Sequence, residues 1–486
     1  MLKTNVMAAL AAAALLAASL AACTSPVGPQ PSGIDTAASW RRLEGGKDGD
    51  KDGANDGKAA GAALLVASAD AEVDQQWWGR FRDPTLDALV REALDHNKTL
   101  KIARARVDEA RAGRLLAQSA LAPQINAEAS SERGNRGFLT SDKAVTINQV
   151  DIAATWELDL FGRNQARAAQ AGAILQSAEA SRQAVRVALL AEVARTYFDL
   201  GNYARQIELT RNNLATQRKT LSLIQAQFQG AMASNFDVQR AAAQVSATEA
   251  LIPALRTGYD QSVNRLASLL GRTPESMGGM FDGAAAARAT VPPLDNGILV
   301  SAPARVLAER PDVRVAERSF AASISGRKAA VAELFPNISL TALFGAQNAT
   351  PFSSTPWGIG AGLVQPILNF GRISSQIDAA DARQQQAFLG YQQTVLEALE
   401  DMENALSGYL NENTRNASLS AGVAQNRKAV ELARMQFSHG YVGLLDVLVA
   451  ERDLLDAESK QAASDASLRK DLVRIFAAAG GGWRDQ

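Results

Sequence analysis

The sequence predicts a mainly α-helical membrane protein of mixed α/β class, built as an internal two-fold repeat that supplies four β-strands per chain. Three observations predict it: two long proline-poor stretches of helical heptads, four segments of alternating hydrophobicity, and short motifs that recur at a fixed spacing. The recurrence comes first because a repeat fixes architecture before any local pattern does. Phe161-Gly162-Arg163 returns as Phe370-Gly371-Arg372, and the same shift of 209 carries Arg218-Lys219 onto Arg427-Lys428 and Gln227-Phe228 onto Gln436-Phe437. It also carries Asp237-Val238 onto Asp446-Val447 and Gly271 onto Gly480. Upstream the shift is 213, with Gly113, Arg114, Leu121 and Pro123 matching Gly326, Arg327, Leu334 and Pro336, so a four-residue length change lies in a loop between them.

In chain order, residues 1–22 read as a secretory signal: Lys3 precedes an Ala/Leu run from Val6 to Leu20 that is short for a bilayer span. Leu20-Ala21-Ala22-Cys23 then resembles the lipobox of bacterial lipoproteins, which would make Cys23 the first mature residue and the site of a covalent lipid, with ordinary signal cleavage and an incidental thiol as the alternative. Thr24 instead of Asp points, in that family, to the outer membrane. Residues 23–76 read as an extended, poorly ordered leader, with Pro26, Pro29 and Pro31 followed by the Gly/Asp/Lys stretch Gly45 to Lys58. Asp48, Asp50, Asp52, Gly53 and Asp56 mimic the start of a calcium loop, but Ala59 stands where the bidentate Glu belongs, which favours a linker.

The first repeat spans 77–271, a linker 272–297, the second repeat 298–480, and a tail 481–486. Each copy reads as helix, two strands, a very long helix, a sharp tip and a returning helix. In copy one, Ile125, Ala127 and Ala129 alternate with polar residues, as do Val150, Ile152, Ala154, Trp156 and Leu158. In copy two, Ile338, Leu340, Ala342 and Phe344 form one strand, and Trp357, Ile359, Ala361 and Leu363 alternate with glycines in the other. Strands of this length cross a bilayer when tilted. Heptads at Val193, Leu200, Ile207, Leu214, Leu221 and Phe228 predict a coiled-coil helix of about 100 Å. The second long helix is predicted to pack more wetly where Asn413, Asn416 and Ser420 interrupt its heptads.

Four strands cannot close a membrane barrel alone, because open edges leave unpaired backbone groups in hydrocarbon. Assembly of several chains is therefore required, and three chains, giving twelve strands, leave room for a lumen. One cysteine and two histidines (His96 and His439) exclude a disulfide framework or a His/Cys metal site within one chain. A formal net charge of −1, with both signs interspersed, gives no nucleic-acid surface. No nucleophile and base pairing and no phosphate-cradling loop stands out, so an enzyme is not expected.

The lipobox ending at Cys23, Trp77-Trp78 followed by Phe81-Arg82-Asp83-Pro84, the two Phe-Gly-Arg junctions and the tip segments before Asp237 and Asp446 together resemble the TolC-like outer-membrane factor family, in its NodT/OprM-like lipoprotein branch. The resemblance covers residues 77–480. It implies a homotrimer with a 12-stranded β-barrel in the outer membrane and long antiparallel helical hairpins that form a periplasmic α-barrel. The helical end would meet a periplasmic adaptor (membrane fusion) protein and an inner-membrane pump of the resistance-nodulation-division type. The function implied is a passive efflux duct for drugs or other small molecules, with no cofactor beyond the lipid on Cys23. A type I protein-secretion or heavy-metal export duct is the alternative within the family. A non-conducting periplasmic coiled-coil scaffold lipoprotein is the alternative from another class, and the four alternating strands speak against it. The resemblance also places a pore constriction near Asp446, with Asp237 as its repeat partner. Because the family's further acid is replaced in Leu448-Val449-Ala450, an apolar constriction at Leu445 or Leu448 is the other reading. A carboxylate in the first turn of a helix is also a capping group, which would explain both aspartates without a pore. Gly230, Ser234, Gly440 and Gly443 are the expected tip residues, permitting tight turns and meeting the adaptor.

Overall fold

The computed structural model describes residues 28, 30–44, 65–68, 73–134, 144–281, 298–349 and 352–484. Cys23, the run from Gly45 to Lys58 and residues 135–143, between the first two long strands, lie outside the described residues. The elements run α1 (Arg41–Glu44), β1 (Leu65–Ser68), a 3-10 turn at Trp77–Phe81, α2 (Pro84–His96), α3 (Lys98–Ser119), β2 (Gln124–Gly134) and β3 (Val145–Leu158). There follow α4 (Arg163–Gln229), α5 (Asn235–Glu249), α6 (Leu251–Leu269), β4 (Ile298–Ser301), α7 (Pro303–Glu309) and α8 (Pro311–Ala332). The chain closes with β5 (Asn337–Ala349), β6 (Phe352–Ser354), β7 (Trp357–Val364), α9 (Arg372–Ser438) and α10 (Leu444–Ala478). The two long helices α4 and α9 are both 67 residues, and their ends correspond residue for residue at the shift of 209.

Contacts divide the chain into two compact units, each of which draws on both repeats. The first takes residues 104–180 and 314–394 together with the start of the chain, and contains the main sheet. Its strand order is β2-β3-β5, with β6 and β7 both on the far side of β5. β6 and β7 are one strand interrupted at Thr355-Pro356, because Pro356 has no N–H for the ladder; its carbonyl accepts from the Gly345 amide instead (2.9 Å). The sheet therefore has four strand rows, all antiparallel. Register keeps one chemical face throughout: Ala127 lies opposite Ile152, Ile152 opposite Phe344, and Phe344 opposite Trp357. Ile125, Ile152, Phe344, Trp357 and Ile359 on that face are all exposed. The other face carries Glu128, Asp151 and Gly345 in one row. Asp151 is buried there, and Gly345 must lack a side chain because a Cβ would stand 2.7 Å from that of Asp151.

The second unit takes residues 34–103, 181–313 and 395–486. Its core is built on the predicted heptads: Leu190, Val193, Tyr197, Leu200 and Ile207 are buried against Met402, Leu406, Leu472 and Val473. Trp77 closes this core, stacked on Phe476 with ring centroids 5.7 Å apart. Asp83 caps α2 by accepting from the amides of Thr85 and Leu86, and Pro84 occupies the first helical position, where its missing N–H costs nothing. The predicted wet stretch of α9 is met by hydrogen bonds: Asn416 donates to the Asp465 carboxylate (2.7 Å) and Ser464 to Glu412 (2.5 Å).

Two expectations are corrected. The return helix of copy one is not continuous but breaks into α5 and α6 at Ala250, because Pro253 has no N–H to offer the Glu249 carbonyl. The leader is not uniformly loose, since it carries anchors that pattern reading overlooked. In the first unit Glu317 accepts from the Gln30 amide (2.9 Å) and Gln392 donates to the Ser32 carbonyl (3.0 Å). In the second unit Trp40 is buried, its indole donates to the Ser301 carbonyl (2.8 Å), and β1 pairs in parallel with β4.

Candidate functional site: the paired hairpin tips

The helical hairpins end in two tips of the second unit, and both begin with the same backbone device. Where α4 stops, Met232 donates to the Gln227 carbonyl (2.8 Å) and Ala231 to Phe228 (3.0 Å). Where α9 stops, Tyr441 donates to Gln436 (2.9 Å) and Gly440 to Phe437 (3.0 Å). Such endings require a left-handed residue. In copy two that residue is Gly440, at φ +78. In copy one it is Ala231, at φ +57, and not Gly230. The expectation for Gly230 is thereby corrected, because the shift of 209 brings Gly440 onto Ala231 and leaves Gly230 one residue early. Gly443 is likewise not a strained turn residue; it sits at φ −82 as the N-cap of α10.

Beyond each turn an aspartate caps the returning helix. The Asp237 carboxylate accepts from the Ser234 hydroxyl (2.6 Å) and the Ser234 amide (3.2 Å), and the Ser234 oxygen accepts from the Asp237 amide (3.2 Å). This reciprocal box, led by the hydroxyl bond, pulls the Asp237 carboxyl below its ordinary pKa. Asp446 accepts from the Gly443 amide alone (3.0 Å), since Gly443 has no hydroxyl to donate or accept. Asp446 is exposed, as is Leu445. Leu448 is buried beside Ile224, Ala241 and Leu444, with Phe437 and Val238 against them. Leu448 is 6% exposed in the single chain and is held by that cluster. The cluster brings the two tips together, because its residues come from α4, α5, α9 and α10.

Behind the tips the hairpins are braced by ion pairs that also repeat. Arg218 pairs with Glu249 (3.0 Å) and Arg427 with Glu458 (2.7 Å), the same positions at a shift of 209. Sequence reasoning missed a pair beside tip two that does not repeat. In copy two Arg434 reaches Glu451 (2.8 Å), whose carboxylate is fully buried and keeps Oε2 without a partner, whereas copy one has Gln225 and Ala242 at those positions. Reading outward from the predicted gate by one further helical turn would have found it. Two other polar sites away from the tips were also missed. Asp83 accepts from the Tyr197 hydroxyl (2.7 Å), and burial, followed by that bond, pushes the Tyr197 pKa up. Arg310, nearly buried, donates to the Ala478 carbonyl at the end of α10 (3.0 Å) and to Asp312 and Asp401. It lines a groove of about 650 Å³ in the same unit.

Among the described residues no group of three or more His, Cys, Asp or Glu is placed to hold a metal, and no helix is long and apolar enough to cross a membrane. Among the described residues, the exposed apolar face of the sheet is a surface suited to a membrane. A four-row sheet with one apolar face, joined to paired helical hairpins, defines the class of outer-membrane ducts. The family model for outer membrane efflux proteins matches residues 89–272 and 302–481, and the chain belongs to that family. The pyoverdine export outer membrane protein OpmQ of Pseudomonas putida is 28% identical over 481 residues, covering 96% of each chain. Nodulation protein T of Rhizobium leguminosarum bv. viciae is 30% identical over 412 residues, 84% of each. Among solved structures, the outer-membrane channel OprN matches with a TM-score of 0.81 at 30% identity, covering 95% of this chain and 100% of that one. The chain is an efflux channel of the outer membrane, and it is not an enzyme.

Proposed function

We propose that three copies of the chain close into one passive export duct, gated at the tips by Asp446 and Leu445 and anchored additionally by a lipid on Cys23. The observation that carries this reading is the sheet: its apolar face is exposed, and among the described residues both its edges are unpaired in the single chain. Three such sheets make twelve strands with a polar interior. The exposed tips, including Gly230, Ser234, Gly440 and Gly443, are the surface offered to a periplasmic adaptor, and an inner-membrane pump supplies the energy. The similarity to a pyoverdine exporter supports small organic molecules as cargo. Asp446 is favoured over Asp237 as the ring residue because only one backbone amide engages it, leaving most of its acceptor capacity free.

Planar-bilayer conductance of the wild type, Asp446→Ala and Asp237→Ala, with the mass of the assembly measured on the same sample, tests this. A three-chain assembly of small conductance that opens several-fold in Asp446→Ala and is unchanged in Asp237→Ala is expected. Equal conductance in all three would remove Asp446 from the gate and leave Leu445. A single-chain mass with no conductance would overturn the duct assembly.

A further inference from the structure

The register of the sheet sorts its apolar face into rows, and the rows change chemistry abruptly at one end. On that face Leu158, Trp156, Ala154, Ile152 and Val150 follow one another along β3, and each faces only apolar partners: Ile338 lies opposite Leu158, and Ala129 and Ala346 flank Val150. The next row is Ser131, Asn148, Asn348 and Ser353, and beyond it Arg133 stands opposite Thr146. The apolar rows take nine residues of β3, 150 to 158, and a tilted strand needs about 9–11 residues to cross a bilayer. The amide and hydroxyl row therefore falls at headgroup level, at the end of β3 away from α4.

We infer that this rim binds the phosphorylated sugar headgroup of an outer-leaflet lipid, whose acyl chains lie against the apolar rows. The inference rests on that face meeting lipid, as the duct proposed above requires. A groove of about 520 Å³ at the rim is lined by Asn148, Val150, Ala346, Asn348, Ser353 and Thr355, among others. It lies where Thr355-Pro356 interrupts the fourth strand row, so that Ala346 has no ladder partner on that side. Val150 and Ala346 belong to the last apolar row, and Asn148, Asn348 and Ser353 to the polar row beyond it. The groove is thus apolar toward the hydrocarbon and polar toward the surface, which is the division within a lipid molecule.

The side chains select the headgroup. The Asn148 Oδ1 accepts from the Ser131 hydroxyl (2.7 Å), which leaves the Nδ2 hydrogens of Asn148 for a ligand. Asparagine and serine offer neutral donors and acceptors, the complement of sugar hydroxyls, and the one exposed cation of the rim, Arg133, suits a phosphate. The carboxylates of the same two strands near the rim, Glu128, Glu132 and Asp151, fall on the opposite face by strand alternation. An anion on the apolar side therefore meets Arg133 without facing them.

The test mixes the full-length protein, purified in mild detergent, with equal amounts of lipid A, an acylated and phosphorylated glucosamine disaccharide, and phosphatidylglycerol, and counts the retained lipids by native mass spectrometry. The wild type is expected to keep lipid A several-fold over phosphatidylglycerol. Asn148→Leu combined with Asn348→Leu should abolish that preference, and Arg133→Gln should abolish only the preference for lipid A over its dephosphorylated form. Ser130→Ala, on the opposite face, should change neither, and every variant is first checked for the wild-type mass. Equal retention of both lipids by the wild type, or a preference untouched by the double asparagine variant, would overturn the site. Vesicles with brominated acyl chains read the lipid-facing surface separately, through quenching of the emission that Trp357→Phe removes. No quenching would remove that surface and the site with it, whereas quenching without headgroup preference would overturn the site alone.

Discussion

The two hairpin tips share a backbone and differ in what holds it. Tip one uses Ala231 in a left-handed conformation and then a hydroxyl that doubles the grip on Asp237. Tip two uses Gly440, where that conformation is free of Cβ strain, but caps α10 through Gly443, which leaves Asp446 with one amide. Tip two also carries a buried carboxylate, Glu451, half satisfied by Arg434. Duplication has preserved the turn while the polar chemistry has diverged. Asp237 is committed to structure, whereas Asp446 has capacity left for another chain or for water.

The largest expected effect breaks that asymmetry from behind. Arg434→Ala leaves the buried Glu451 carboxylate without its cation, which should cost about 2 kcal/mol of local stability; the figure is set below the full cost of breaking a buried pair because Arg434 is half exposed. Arg218→Ala and Arg427→Ala, on the exposed repeating braces, should each cost about 0.5 kcal/mol. Hydrogen exchange at the end of α9 and the start of α10 for Arg434→Ala and Arg427→Ala, and at the end of α4 and in α5 for Arg218→Ala, reads the difference. Similar losses in all three variants would mean that Glu451 is solvated in the assembly and that the tips are energetically alike.

The turn residues give a smaller and opposite pair of effects. Ala231→Gly should stabilise tip one by about 1 kcal/mol and Gly440→Ala should destabilise tip two by a similar amount, because a left-handed L-residue carries that penalty. Exchange at the amides of Met232 and Tyr441, which close the two turns, measures both changes. If both substitutions prove neutral, the positive φ at these sites is relaxed in the assembled duct.

Much of this was legible in the sequence because periodicity survives wherever burial is one-sided. The heptads from Val193 to Leu214 appear as a buried stripe, and the alternation from Val150 to Leu158 as one face of β3. The repeat predicts two equivalent long helices, and α4 and α9 match in length and at both ends at the shift of 209. What pattern reading missed depends on single contacts. Trp40 pins the leader through one indole hydrogen bond, and Pro253 breaks a helix through one absent N–H. Gly230 attracted attention as a glycine at a tip, although the backbone needs its left-handed residue one position later. Leu448 stands where the resemblance expects a further acid nearby, yet it lies two residues beyond Asp446, about 200° round the helix, and packs in the cluster around Ile224.

The smallest effect is a titration confined to tip one. The Asp237 carboxyl is held below its ordinary range by the Ser234 hydroxyl and amide, with Arg240 adding to the same direction. A depressed folded-state pKa means that the carboxylate stabilises the cap at all pH values above the ordinary aspartate pKa of about 4. That contribution is lost as pH falls through the depressed value, when protonation removes an acceptor from the Ser234 bonds. Exchange at the Ser234 and Asp237 amides, corrected for intrinsic rates, should therefore accelerate below pH 4. In Ser234→Ala the hydroxyl bond is gone at every pH, so the cap starts weaker and its remaining pH dependence shrinks. A pH dependence unchanged by Ser234→Ala would assign it to another carboxylate and remove the reciprocal box as the feature that distinguishes the two tips.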